Sequence, residues 1–438
     1  MMHMMDSLLE VCQKQVTVLS EKDIDWVLTV PAIWNDSAKH FMRLAAQEAG
    51  IEKEKLTIAL EPEAASICCR HTKLHNDGLG GISTFQSGKK YLVVDAGGGT
   101  IDMTVHEVCF GGALKELHKA TGGAWGGTMV DTAFLDFIAE LMGKDAFNTF
   151  KDQQREDYID LLRDFERKKR ETDLKSNGCV TIRIARSMFD LVNDIEGQQL
   201  KNVILNSRHA KTIKLDSDKL RLDNGLVRQF FKESVDKIVH HISELLETCK
   251  AEGVDTILMV GGYSESTLLQ DVIQKEFKKL KIIVPSDSGL AVLKGAVMFG
   301  HRPTFTIERV SKFTYSIAVM RPFDEKIHPV DKRIECDAGI ICKDLFSVLV
   351  HAGLRLVVGE IQCSKEITPH DINQSRRVAS LGSMGKRKCF RRTIIRFAEK
   401  TSMTNVELGF NALAFPQGTI CYTNMVKKNS LVGFNDSQ

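Results

Sequence analysis

The sequence predicts an α/β protein with a β-rich C-terminal region. Three observations carry this. Strand-like and helix-like runs alternate as β-α-β-α from residue 26, an order that implies parallel strands joined by a crossover helix. Three glycine-rich turns, DAGGGT, TGGAWGG and VGGYSES, each follow a strand or precede a helix. Past Pro303 the pattern weakens and strand-like runs take over. The 438 residues suit two or three domains, at roughly 150 residues each.

Taken in order, Ser7 to Lys14 predicts a short helix. Trp26–Val30 reads as a strand stopped by Pro31, and Asn35 or Asp36 can cap the helix that runs to Ala49, with Gly50 as its stop. LTIALEPEAA is a second strand running into a second helix. Residues 71–90 are polar and glycine-rich, as in an exposed loop. YLVVDAGGGTID and the alternating TIDMTVHEV make a strand–turn–strand hairpin. TGGAWGG leads into an amphipathic helix, and residues 151–175 form a charged helix. Residues 179–225 read as short strands and turns, and a long helix begins near Val227. DTILMVGGYSES is a strand and a Gly-Gly turn ahead of a helix, and GLAVLKGAVMFG is a helix with small residues on one face. Beyond it, strands are expected at Phe313–Met320, Phe346–Val350, Leu354–Val358 and Thr419–Val426, with a basic stretch at Gly385–Phe397.

Composition narrows the function classes. A net charge of +2 gives no support for a general nucleic-acid binder. Eleven scattered cysteines lack paired ligand spacing, which argues against zinc and for reduced thiols in a cytoplasmic protein. No apolar run is long enough to span a bilayer, at about 18 to 20 residues. The N-terminus has no basic region before its short apolar run and does not look like a signal peptide.

The hairpin holds the informative chemistry. Asp95 ends a buried strand beside Gly97, Gly98 and Gly99, and Thr100 and Asp102 come next in the chain. A Rossmann loop would have to open a helix, and a Walker loop needs GK[ST]; neither is here. Glycines let a backbone approach a ligand, and successive N–H groups in a turn form a nest for anions. Mg²⁺ keeps most of its waters and takes one or two carboxylates beside phosphate oxygens. Asp95 and Asp102 are the candidate carboxylates, with Asp95 facing Mg²⁺ mostly through water. A tight hairpin whose glycines serve only the turn is the alternative. Three such turns around one polyphosphate are more specific than one.

These motifs resemble the ATPase domain of the 70-kilodalton heat-shock proteins, in the actin and sugar-kinase superfamily. The likeness is greatest to the divergent branch called heat shock 70 kDa protein 12. DWVLTVPAIWNDSAKHFMRLAAQEAG, LEPEAA, VVDAGGGTID, ILMVGGYSES and GLAVLKGAVMFG match its segments in order across roughly residues 20–303. The resemblance implies an actin-like ATPase fold of duplicated ribonuclease H-like lobes, with ATP or ADP and Mg²⁺ between them. By position, Glu61 matches the acid that orders the attacking water. Asp95 matches the acid near Mg²⁺, Thr100 the threonine near the γ-phosphate, and Asp102 the loop's second acid. Gly122 and Gly123 lie in the other phosphate turn, and Gly261 and Gly262 beneath the adenosine, where Tyr263 can stack on or crowd the base. In FERKKRETD, Glu166 and Lys169 match ribose-side contacts and Arg170 the guanidinium that stacks on the base. Without the resemblance, that run reads as a solvated charged face. Expected divisions are a partial first lobe at 1–110, with the connecting segment and second phosphate loop, a second lobe at 111–303, and a divergent β-rich region at 304–438.

The sequence departs from the family in several places. No Asp-x-Gly-Thr-Thr strand pair or subsequent lysine precedes Asp25, so the first lobe is expected to be incomplete and N-terminally truncated. Glu265 stands where many members carry Arg, and Gly126 and Gly127 where the chaperones carry acids. The C-terminal region does not resemble a peptide-binding sandwich with a helical lid, and RRVAS is a candidate basophilic kinase site. The expected function is nucleotide binding with weak or absent ATP hydrolysis, in company with a protein partner of unknown identity. A non-catalytic scaffold is the alternative, and a small-molecule kinase the weakest reading.

Overall fold

The computed structural model describes residues 7, 10, 11, 14, 23–71, 85–248, 252–301, 306–336 and 339–358, and the strands 361–367, 376–383, 389–396, 404–409 and 419–423. Most of the expected N-terminal helix and residues 72–84 of the expected loop lie outside them.

β1 (Trp26–Val30), α1 (Asp36–Glu48), β2 (Leu56–Leu60) and α2 (Glu61–His71) come first. β1 and β2 pair in parallel as a sheet of their own, with Val30 opposite Leu60. Asn35 caps α1, its Oδ1 accepting from the Ala38 amide at 2.9 Å. α2 starts directly on the last residue of β2, which puts Glu61 at the carboxyl end of a strand.

β3 (Lys90–Ala96), β4 (Ile101–Val108) and β5 (Leu114–Gly123) form an antiparallel meander, succeeded by α3 (Gly127–Met142), α4 (Lys144–Gln153) and α5 (Arg155–Glu171). A small sheet of β6 (Cys179–Arg183), β7 (Ile213–Asp216) and β8 (Lys219–Asp223) carries α6 (Arg186–Glu196) and α7 (Leu200–Asn206). Only strands and turns were expected there. The apolar pair Met188 and Val192, one helical turn apart and buried, drives α6 onto the core. Next come α8 (Asn224–Glu247), β9 (Val254–Val260), α9 (Thr267–Glu276), β10 (Lys281–Ile283) and α10 (Ala291–His301).

Beyond α10 lie β11 (Thr306–Val310), β12 (Tyr315–Pro322), β13 (Arg333–Cys336), β14 (Gly339–Val350), β15 (Arg355–Val357), β16 (Ile361–Ile367), β17 (Arg376–Ser383), β18 (Cys389–Arg396), β19 (Thr404–Gly409) and β20 (Thr419–Thr423). The region is β-rich, as expected. Residues 385–388 and 397 of the basic stretch, and 424–426 of the last expected strand, lie outside the described residues.

A seven-stranded sheet organises the molecule, in the order β10-β9-β3-β4-β5-β11-β15. β9 runs parallel to β3, and β11 parallel to β5. This sheet takes strands from both sides of residue 110 and from beyond residue 303, so neither expected division falls between sheets. The turn near residue 110 joins two strands of one meander. β11 extends the edge of β5 by parallel pairing, and there the buried Glu116 carboxylate accepts from the Val310 amide at 3.0 Å and from the Ala120 amide at 3.1 Å.

The alternation in β3 and β4 separates two faces. Leu92, Val94, Ala96, Ile101, Met103 and Val105 join the large core under α3, α5 and α8, where Phe134 stacks on Phe165 with centroids 3.9 Å apart. Tyr91, Val93 and Asp95, opposite His106, Thr104 and Asp102, occupy the other face. There Ser66 of α2 lies 3.3 Å from both the Tyr91 hydroxyl and His106 Nδ1. Burial, with Arg309 and Arg70 nearby, pushes the His106 imidazole down to about 3. α10 crosses α2 so closely that a Cβ on Gly295 would lie 1.7 Å from the Ala64 carbonyl oxygen. That crossing holds α2, and with it Glu61, against the sheet.

β9 is paired on both sides, by β10 and β3, and its last five residues are buried, whereas β1 has one partner among the described residues and is mostly half-buried. Local opening energies track buried contacts. Amide exchange is therefore expected to be slow at Ile257–Val260 and faster at Trp26–Thr29. Equal protection, measured by hydrogen exchange, would refute the difference.

Candidate functional site

Asp95 and Asp102 are direct cross-strand partners on one face of the sheet. Both are buried, at 5% and 1% exposure. Like charges placed directly opposite are destabilising, and burial in low dielectric adds to that. Burial first, then Glu61 and Asp102, holds the Asp95 carboxyl well above its ordinary range. Asp102 is also raised by burial, although backbone amides at Ile33 and Ala32 and the Thr100 side chain pull it back. Glu61 is pushed up to about 7 by burial and by Asp102. The structure thus brings three of the expected acids and Thr100 into one electrostatic cluster.

The hydrogen bonds are uneven. The Ile33 amide donates to Asp102 Oδ1 at 2.7 Å. Asp95 Oδ2 is buried and has no hydrogen-bond partner among the described residues. A buried, unpaired carboxylate oxygen beside two more acids is a fit for a hydrated dication. Among the described residues no group of three His, Cys, Asp or Glu side chains is placed to hold a metal directly, so the fit is for contact through water.

The glycine turns converge on this cluster. Gly97 closes its turn by donating to the Thr100 carbonyl at 2.9 Å. Gly98 and Gly99 are exposed, and among the described residues no acceptor takes their amide hydrogens. They form the half of the site suited to an anion. The first amides of α3 are engaged by the hairpin turn. Those of Gly126, Gly127 and Thr128 donate to the carbonyls of Gly99, Gly97 and Gly98 at 3.4, 3.2 and 2.8 Å. The start of α3 therefore supports that turn. Gly126 is forced here, because a Cβ would lie 2.4 Å from the Gly98 oxygen. An acid in its place would displace the turn. Gly122 and Gly123 end β5, Gly122 opposite Asp102.

Gly261 has φ +85°, and a Cβ would lie 2.5 Å from both Asp95 Oδ1 and the Ala96 oxygen. Only glycine lets the third turn abut the first. Gly262 beside it faces open space. Tyr263 is the correction. Its ring is buried in the main core, at 6% exposure, with its hydroxyl 3.3 Å from Ser234 Oγ. It packs beneath the turn and is not open to a base. Its large apolar surface is better buried there than in a cleft.

The last turn of α5 reaches this third turn. The buried Lys169 ammonium contacts Asp131 at 2.7 Å and Glu166 at 2.5 Å, and reaches the Gly127 carbonyl at 3.4 Å. It therefore ties α5 to the start of α3, and is no solvated charge. Arg170 is exposed, bonded to Glu166 at 3.0 Å and to Glu265 at 3.4 Å. Glu265 also accepts from the Gly289 amide at 3.3 Å. Sequence reasoning missed Asp131, the Ile33 amide and the Arg170–Glu265 pair. Asp131 alone carried a signal, one turn into a helix that comes after a glycine turn.

A protein with buried paired acids at the end of a mixed sheet, framed by three glycine turns, has the features of an actin-like ATPase. Residues 4–334 match the Hsp70 protein family, and the chain belongs to it. It is 34% identical over 389 residues to heat shock 70 kDa protein 12A of Mus musculus, covering 77% of this chain and 58% of that protein. It is 34% identical over 405 residues to heat shock 70 kDa protein 12B of Homo sapiens, covering 80% and 59%. The likeness to chaperone protein DnaK of Mycoplasmopsis agalactiae is 22% over 350 residues. The chain spans about three-fifths of the length of the heat shock 70 kDa protein 12 relatives it matches. It is a divergent member of the family. Among the described residues no helix is long and apolar enough to cross a membrane.

Glu61 has a folded-state pKa of about 7, against an ordinary 4.5. The folded chain therefore binds more protons than the unfolded chain between those values. Stability is expected to be greatest below about 4.5 from this group, and to fall as pH rises through about 7. Glu116, also pushed up to about 7 by burial, adds a second contribution of the same sign. Glu61→Gln is expected to flatten part of this slope in Tm measured against pH without metal. An unchanged slope would return Glu61 to the ordinary carboxylate range.

Proposed function

We propose that the chain binds ADP or ATP with Mg²⁺ at the ends of β3 and β4, and hydrolyses ATP slowly at best. One observation carries the reading: two buried aspartates stand opposite each other, next to two exposed glycine amides, and among the described residues one aspartate oxygen and both amide hydrogens have no partner. A site with net negative charge beside an anion nest suits a ligand that brings both signs.

In this reading the amides of Gly98 and Gly99 take phosphate oxygens, and Thr100 stands at the turn's end beside them. Asp95 and Asp102 would hold Mg²⁺ through its waters, and the ion would supply charge that neutralises them. Glu61, with a pKa near neutrality, is suited to accept a proton from a water. Gly261 and Gly262 lie under the adenosine, and Arg170 covers one face of the base.

Titration calorimetry with ADP, with and without Mg²⁺, tests the proposal. Binding that strengthens with Mg²⁺ is expected. Asp95→Asn should weaken that Mg²⁺ dependence more than the affinity for adenosine. No heat at millimolar ADP would sink the reading and favour a scaffold.

Arg170→Ala gives a second check. If the guanidinium stacks on the base, ADP affinity should fall by about 1 to 2 kcal/mol. An unchanged affinity would leave Arg170 as an exposed ion-pair partner only.

A further inference from the structure

The strand that extends the large sheet brings a lysine to the acid cluster. β11 is docked on β5 through the Glu116–Val310 bond. It is also tied to α2 by an ion pair of 2.7 Å between Arg309 and Glu63, whose side chains are 16% and 3% exposed. Two residues past β11, the Lys312 ammonium donates to the Ile33 carbonyl at 2.5 Å. The amide of the same Ile33 donates to Asp102 Oδ1 at 2.7 Å. Ile33 sits in the turn after β1, whose internal backbone bond is Trp34 to the Pro31 carbonyl at 3.2 Å. The turn is therefore gripped from both sides, by a cation on one and by a site carboxylate on the other.

We propose that Lys312 is a positioning residue for Asp102: it clamps the Ile33 carbonyl so that the Ile33 amide orients the carboxylate toward the metal and phosphate site. This rests on the nucleotide reading above. Three features support a fixed role. First, Lys312 is partly buried, and burial lowers its basicity while Asp36 and Asp102 raise it. A desolvated ammonium needs its partners. Second, the segment after it is held as well, since the Tyr315 hydroxyl lies 3.3 Å from Asp36 Oδ2. Third, Asp102 gains both a hydrogen bond from Ile33 and the field of the Lys312 charge. A carboxylate with one oxygen fixed presents the other in a set direction. Mutating residues that hold metal ligands costs about 10- to 100-fold in metal affinity or activity.

Two readouts test the clamp on the full chain, with Lys312→Met and Lys312→Arg compared to the wild type. The first is hydrogen exchange at the Ile33 amide without any nucleotide. Lys312→Met is expected to speed it by about 10-fold or more, with exchange in Ile257–Val260 unchanged. The second is the ratio of ADP affinity with Mg²⁺ to that without. Lys312→Met should lower this ratio by about 10-fold, and Lys312→Arg should keep it, because Arg retains the charge and the donors. Should the Met variant not fold, Lys312→Gln serves for the same comparison. An unchanged ratio overturns the proposal even if the turn loosens. If the wild type binds no ADP, the nucleotide reading fails separately, and unchanged Ile33 exchange then overturns the clamp alone.

Discussion

Two aspartates facing each other across neighbouring strands inside a sheet are the constraint around which this structure is arranged. The hydrophobic effect places β3 and β4 in the centre, because Leu92, Val94, Met103 and Val105 supply one large core on one face. Strand alternation then obliges Asp95 and Asp102 to share the opposite face. Both are buried there, at 5% and 1% exposure. Local relief comes from the turn after β1, the Thr100 hydroxyl and raised proton affinity. The remainder of the imbalance is suited to a cation. The surrounding glycines obey the same geometry. Gly261 and Gly126 keep backbone close to the strand ends where any side chain would clash.

Much of this was legible in sequence, for local reasons. Alternation in TIDMTVHEV and the apolar run before Asp95 are short-range signals, and so is each glycine turn. Helices α3, α5, α8, α9 and α10 were readable from local pattern, whereas α4, α6 and α7 were not. Long-range pairing could not be read. Nothing in the order of residues says that Val310 will donate to Glu116, 194 positions away in the chain. A sheet that recruits strands from past α10 therefore crossed both expected divisions. Tyr263 was misplaced for a related reason. A tyrosine after Gly-Gly looks the same whether its ring turns toward a cleft or a core, and only the packing of Ser234 and α3 decides.

The charged run in α5 shows how burial changes the meaning of a pattern. FERKKRETD has the look of a solvated face, and Arg170 is exposed, with 58% of its side chain open. Lys169, one residue earlier, is buried with only 8% of its side chain open. A lysine loses solvation there, and Asp131, Glu166 and a backbone carbonyl compensate. It therefore fixes α5 against the start of α3. The two neighbours differ because a helix turns by about 100° per residue, which sends one toward α3 and the other outward.

That difference bears on how the departure at Glu265 acts. At position 265 this chain has a carboxylate that meets Arg170 at 3.4 Å, with side chains 58% and 38% exposed. Exposed pairs of this kind contribute about 0 to 1 kcal/mol. The pair is thus too weak to keep a base out of the space beside Arg170. Its effect appears only when a base enters. Arg170 would exchange one partner for a ring face, while Glu265 keeps the Gly289 amide at 3.3 Å. A base would then have a cation on one side and a carboxylate near the other. In the nucleotide reading proposed above, position 265 would offer the base no positive charge, and affinity would rest on the phosphate end, where the buried acids and the exposed amides of Gly98 and Gly99 lie.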